Sequence, residues 1–220
     1  VMVTNTWVKV VNEDQDDDDD PAEYHYYYMQ SNGKAYKNDD STKIRKKTID
    51  GKVYAFDEDG KMLYGWVNGT NGDRITGDTG WSDAAYTDDV YYFGSWEDGS
   101  MKTGSTTINL DGDSYNFLFS KSGGAEGKGR GVTGTDDMKY VYKMGLKMKA
   151  DSDDKYTVIY ATGDIGDNTA QVEKIDTAKM RGLAQIATNK NKDDDTVKYF
   201  GNMPSNYYLI STSGSITKSK

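Results

Sequence analysis

The residues with chemistry to offer in this chain are flat rings rather than titrating groups. Trp7, Tyr28, Trp66, Trp81 and Tyr92 stand beside turn signals or on strand-like segments, and Met62 follows a turn closely. Such rings either pack against neighbouring segments or present a face to a ligand. Trp66 and Trp81 each follow a Gly near a predicted hairpin edge, and both uses are open to them. Tyr28 and Tyr92 face away from their neighbours Tyr27 and Phe93, so one set is core and the other is available for contact. Met62 and Met101 fit the gaps between rings as readily as they fit a ligand. Trp96, beside a turn, reads as a packing residue or an exposed ring.

The groups that usually carry catalysis form no constellation. His25 is the only histidine, and neither a triad nor a histidine metal cluster can be assembled around it. Cysteine is absent, which excludes disulfides and thiolate metal sites. The serines lie in polar loops without a nucleophile elbow. Asp outnumbers Glu heavily, and so many turn aspartates reveal no separated carboxylate pair of the glycosidase kind. Gly127-Lys128-Gly129-Arg130-Gly131 has the look of a phosphate loop but lacks the order of one and the helix that should follow. The expectation is a non-catalytic chain that needs no cofactor.

Charge narrows the partners. A net charge of −9 without a dominant basic cluster argues against nucleic acid, because phosphate binding needs concentrated positive charge. The aspartate runs Asp16 to Asp20, Asp136-Asp137, Asp153-Asp154 and Asp193 to Asp195 read as solvated loop tips. A calcium site is the sharper alternative, yet no stretch has the spaced oxygen ligands and closing Glu of an EF-hand loop. No apolar run approaches the roughly 20 residues of a membrane span. No leader precedes Val1, so a secreted form of this chain begins after cleavage or inside a longer one.

The elements that must position the rings are hairpins. A short unit recurs: two or three aromatics, a few polar residues, a Gly turn, then a small or apolar residue. It runs from Tyr27-Tyr28-Met29 to Gly33, from Tyr54-Ala55-Phe56 to Gly60-Lys61-Met62, and from Tyr91-Tyr92-Phe93 to Gly99-Ser100-Met101, with a weaker copy from Tyr207-Tyr208-Leu209 to Gly214. Period-two alternation dominates, as in Lys52 to Phe56, Tyr140 to Tyr142 and Tyr156 to Tyr160. Asn-Gly, Asp-Gly and Gly-Gly pairs supply the positive φ that tight hairpins require. A lone hairpin cannot bury its own apolar face, so the copies must stack. The expected fold is all-β, a solenoid-like and elongated stack of β-hairpin repeats with irregular insertions at Glu13 to Asp20 and Gly69 to Gly80. Residues 1–120 carry recognisable repeats, and residues 121–220 degenerate repeats of the same array. Lys121 to Gly134 reads as a mobile loop. Asp176 to Thr188 reads as a short helix or a degenerate hairpin, with strands favoured because the rest of the chain is β.

With these units in hand, the chain resembles the cell-wall-binding, or choline-binding, repeat proteins of Gram-positive bacteria. That family's unit is roughly Gly-Trp, a polar gap, Gly-x-Trp-Tyr-Tyr-Phe, then Asp/Asn-Gly-x-Met. Asp50 through Trp66 follows it closely, as does Val90-Tyr91-Tyr92-Phe93 with Asp98-Gly99-Ser100-Met101. Trp7 with Tyr26 to Gly33 gives a third match. The resemblance is good over residues 24–120 and loose beyond. It implies stacked hairpins whose rings hold choline or wall carbohydrate between neighbours, on a secreted or cell-surface protein. A quaternary ammonium has no N–H to donate, so ring faces suit it, at roughly 0.5–2 kcal/mol per ring. The resemblance places Trp66, Trp81, Trp7, Tyr92, Tyr28 and Met62 at the ligand. The motif's Trp before Tyr-Tyr is Tyr26, Val53 and Val90 in this sequence, and the Gly-Trp after the third Met is Gly104-Ser105. Valine offers no ring face. The repeats are therefore either a wall- or glycan-binding array or a structural and protein-interaction spacer.

Overall fold

The turn chemistry builds the strands. In a computed structural model, which describes residues 2–40, 42–76, 90–110, 112–124, 127–154, 156–175 and 205–217, Asp50 and Gly51 both take positive φ, 49° and 81°. Two successive positive φ angles make the tight turn whose twist matches antiparallel strands. That turn joins β3 (Lys46–Ile49) to β4 (Lys52–Ala55), paired from Ile49↔Lys52 to Lys46↔Ala55. β1 (Thr6–Val11) pairs with β2 (Tyr24–Met29), and β5 (Trp66–Asn68) with β6 (Val90–Tyr92), again antiparallel.

Each aromatic strand then folds back at its Gly turn. Asp57 N–H donates to the Lys61 carbonyl at 3.0 Å and Gln30 N–H to the Lys34 carbonyl at 2.8 Å. Side chains finish these turns: Asp57 Oδ1 accepts from Lys61 N–H at 2.7 Å, and Asn32 Oδ1 accepts from Lys34 N–H at 2.9 Å. Asp and Asn stand here because their short oxygen arms reach the backbone two to four residues on.

Successive units join through the residue after the turn. Met62 N–H donates to the Tyr26 carbonyl at 2.8 Å, and Met101 N–H to the Val53 carbonyl at 2.8 Å. Each bond leads from one unit back to the motif's Trp position in the unit before. The turn glycines repeat the same logic in packing. A Cβ on Gly60 would lie 3.3 Å from Ala35 Cβ, and one on Gly99 would fall inside Met62 Sδ and Cε.

The consequence is burial on both faces of one strand. Tyr54 and Phe56 bury against Ile49 and Met62, with Trp7, Tyr26, Tyr28 and Tyr36 packed on them. Ala55 points the other way, into Leu63, Val67, Tyr91 and Phe93. A fully buried Phe contributes roughly 1.5–3 kcal/mol relative to exposure, so these rings supply much of what holds the hairpins together.

The chain divides into two compact units, Val1–Gly104 with Leu110–Gly112, and Ser105–Asn109 with Asp113–Lys220. In the second, strands join into wider antiparallel sheets. β7 (Gly104–Leu110), β8 (Asp113–Phe119), β11 (Leu146–Lys147), β10 (Tyr140–Lys143) and β9 (Gly134–Asp136) neighbour one another in that order. β13 (Gln171–Lys174), β12 (Tyr156–Thr162), β14 (Tyr207–Ser211) and β15 (Ile216–Thr217) form a second sheet in that order. Val141, Ile159, Ala161, Val172 and Ile210 share one core there.

The described residues contain no helix, and the fold is all-β, built largely of antiparallel hairpins. The Tyr207 copy is a real hairpin, with Ser211 N–H donating to Ser215 O at 3.1 Å and Gly214 at φ 83°. The stretch expected to be a mobile loop is instead tied at its flanks. Ser120 N–H donates to Arg130 O at 2.7 Å and Gly129 N–H to Ser120 O at 2.8 Å, so β8 continues into a hairpin. Its glycines serve this turn: Gly127 and Gly129 take φ 75° and 89°. Asp176 to Thr188, read as a helix or hairpin, lies outside the described residues, as do Asp193 to Asp195.

Candidate functional site

The alternation of β1 and β2 collects one ring cluster. Trp7↔Tyr28 is a cross-strand pair, so both rings stand on one face of the hairpin. The rings meet edge-on at 5.4 Å between centroids. Trp7 continues to Tyr54 at 4.9 Å and stacks on Phe56 at 5.8 Å. Tyr36 closes the group edge-on to Phe56 at 5.4 Å. Trp7 and Tyr28 remain half-buried while Phe56 is fully enclosed. A cation from the chain itself sits here: the Lys47 ammonium lies 4.7 Å from the Tyr36 ring centroid and 5.7 Å from that of Tyr28.

Trp66 and Tyr92 form a second pair, opposite one another in register with ring centroids 4.8 Å apart. Trp66 is only 8% exposed, whereas Tyr92 keeps part of its ring open. Burial pushes the Tyr92 hydroxyl above its ordinary pKa. Met62 is 7% exposed and lies under the Gly99 turn. Trp81 lies outside the described residues. The structure thus brings Trp7 and Tyr28 together, brings Trp66 and Tyr92 together, and uses Met62 between the units.

A third group was not singled out as a site from the sequence. Trp96, in the turn before Gly99, lies over β2, with centroids 6.4 Å from Tyr24 and 6.5 Å from Tyr26 and planes tilted by 38° and 32°. All three rings are half-buried. The signal was present in Tyr24-x-Tyr26-x-Tyr28, where alternation alone puts three tyrosines on one strand face. Trp96 could not be matched to them, because its place over β2 depends on how distant hairpins stack. Tilted, half-buried rings of this kind suit the C–H face of a sugar or a cation, and the Lys9 ammonium already lies 4.3 Å from the Tyr24 ring centroid.

Polar groups brace this side of the molecule. Asp20, alone of its acidic run, turns inward. It meets His25 Nε2 at 2.8 Å, accepts from the Tyr64 hydroxyl at 2.8 Å, and lies 3.5 Å from Arg74 Nη1. The Arg74 guanidinium stacks 3.7 Å from the Tyr64 ring centroid. Burial works against the charge of Asp20. The His25 and Tyr64 hydrogen bonds and the charges of His25 and Arg74 outweigh it, holding the carboxyl below the ordinary aspartate range. Burial first, then Asp20, pushes the Tyr64 hydroxyl up to about 12 despite the opposing Arg74 charge. His25 therefore fastens the long β1–β2 connection. The rest of the run, Asp16 to Asp19, is exposed.

In the second unit a groove of about 130 Å³ is lined by Tyr115, Asn116, Leu146, Lys147, Lys149, Thr212 and Ser213. It contains none of the residues singled out from the sequence.

No family model matches the sequence, and no curated protein matches it. Among solved structures, CbpF, crystallised with ipratropium, is 18% identical with a TM-score of 0.40, over 98% of this chain and 49% of that one. CbpJ from Streptococcus pneumoniae is 17% identical with a TM-score of 0.35, over 97% of this chain and 66% of that one. The pneumococcal cell-wall endolysin of phage Cp-1, solved with choline, is 18% identical with a TM-score of 0.22, over 58% of this chain and 29% of that one. This chain therefore spans about half the length of CbpF.

Proposed function

We propose that this chain is a non-catalytic attachment module, displayed outside the cell, that holds bacterial cell-wall polymer or a surface glycan on rings supplied by different hairpins. The observation that carries the reading is the half-exposed group of Tyr24, Tyr26 and Trp96, joined from β2 and a turn far along the chain. Each cleft is shallow and weak alone, and several on a polymeric wall gain strength by avidity. Co-sedimentation with purified Gram-positive cell walls tests this. Wild type should pellet with walls, and Trp96→Ala should weaken retention about 2- to 30-fold, the worth of one ring. Wild type left wholly in the supernatant by every wall preparation would end the proposal.

A second reading, a structural spacer or protein-interaction segment, is favoured by one specific observation. Trp66 and Met62 are 8% and 7% exposed, so that ring and that thioether serve packing. A spacer shows no saturable change in tryptophan emission on titration with wall polysaccharide, whereas an attachment module does.

A further inference from the structure

We propose that Lys47 is the resident cation of the Tyr28–Tyr36 cage, and that it excludes quaternary ammonium ligands from those ring faces. The inference rests on the reading of these rings as ligand-facing and adds which ligands they refuse. The geometry begins with alternation. Lys47 pairs with Tyr54 across β3 and β4, and it shares a face with Ile49 two residues on. Ile49 and Tyr54 are buried in the Trp7 cluster. The inward face of this strand therefore carries a lysine where the pattern calls for an apolar residue. Lys47 is half-buried there, and a local rule broken at such a position points to a use for the residue.

The ammonium has found rings rather than a carboxylate. It lies 4.7 Å from the Tyr36 centroid and 5.7 Å from the Tyr28 centroid. Among the described residues it forms no ion pair. Its neighbour Lys46 is exposed and also meets a tyrosine, 4.5 Å from the Tyr91 ring centroid, but it reaches one ring and donates to that ring's hydroxyl at 3.0 Å, whereas Lys47 is half-buried between two rings. Lys47 is thus held by two ring faces, the kind of contact that would otherwise recognise a cation from solution.

Competition follows from the tether. A group fixed on the adjoining β3–β4 hairpin of the same chain reaches the cage at an effective concentration of at least the order of millimolar. A free quaternary ammonium must displace it and gains only the same two faces. The Tyr28 and Tyr36 faces consequently reject choline-type cations.

The test uses choline chloride as the probe and 3,3-dimethyl-1-butanol as its uncharged isostere, with NMR of the Tyr28 and Tyr36 rings. In wild type, the Lys47 ε-methylene protons should be shifted upfield by the rings, and choline should leave both tyrosines unmoved. In Lys47→Met, which keeps the apolar stem, choline should bind at Tyr28 and Tyr36 about tenfold or more tighter than in wild type. The isostere should show no such gain. Lys47→Ala provides a second vacated cage. The proposal is overturned by a saturable choline shift of Tyr28 and Tyr36 in wild type, by absence of the upfield shift, or by a folded Lys47→Met or Lys47→Ala protein without gain. Self-association of both variants without choline binding also overturns it, since Lys47 would then be a guard of the strand edge. The wild-type proton shift decides the matter even where neither variant folds. Wall retention is read separately at Trp96, so failure of the attachment proposal and failure of this one are distinguishable.

Discussion

Gly99→Ala probes how one hairpin seats on the previous one. Gly99 has φ 58°, and a Cβ there would fall inside Met62 Sδ and Cε. Gly51 supplies the control: its φ is 81°, but nothing lies within 4 Å of its would-be Cβ. Both substitutions incur the left-handed backbone cost, about 1–2 kcal/mol. Gly99→Ala adds overpacking of a buried site, at about 1–3 kcal/mol, and the lower part of that range applies because a thioether arm can bend. Gly51→Ala should therefore cost about 1–2 kcal/mol and Gly99→Ala about 2–4 kcal/mol. Met62→Ala removes the obstacle. In that background Gly99→Ala should fall back to the backbone cost alone, leaving a coupling energy of about 1 kcal/mol or more. Urea unfolding followed by tryptophan emission reads this, because Trp7, Trp66 and Trp96 fall in the first unit. Equal costs for Gly99→Ala and Gly51→Ala, together with additivity of Gly99→Ala and Met62→Ala, would refute the seating of the turn on Met62.

Phe56→Ala should destabilise the first unit by about 3–5 kcal/mol, since the ring is fully buried and touches Trp7 and Tyr36; a urea midpoint unchanged from wild type contradicts that packing. Asp20 should make the first unit acid-sensitive. Its folded pKa is depressed, so its stabilisation is complete above the unfolded value near 4 and is lost as pH falls through the lower folded value. Asp20→Asn should thus be less stable than wild type at neutral pH and lose less stability on acidification below about pH 4; parallel stability–pH curves for the two proteins would remove Asp20 from the account.

Sequence made the hairpins legible because their determinants are local. The positive φ of Asp50 and Gly51, the side-chain acceptors Asn32 and Asp57, and the alternation of Tyr54 with Ala55 all act within a few residues. The burial of both faces of β4 was not legible. Tyr54 and Phe56 on one side and Ala55 on the other looked like a core face and an open face, and only stacking between two neighbours encloses both. The same limit hid Trp96, whose partners lie about seventy residues earlier, and Lys47, whose inward position follows from the register of β3. In the second unit the aromatic strands Tyr140 to Tyr142 and Tyr156 to Tyr160 were readable. The sheets they join were not, because the pairing of β11 with β8 and of β12 with β14 links segments distant in sequence.

The central claim is that rings gathered from separate hairpins meet the wall polymer. The most direct measurement is an NMR titration of ring signals with solubilised wall polysaccharide, in wild type and in Trp96→Ala. Attachment through the cleft predicts saturable shifts of the Trp96 indole and of the Tyr24 and Tyr26 rings at one common affinity, with the tyrosine shifts weakened in the variant. Binding of the polymer that leaves those three rings unmoved, or that persists undiminished in Trp96→Ala, would contradict it.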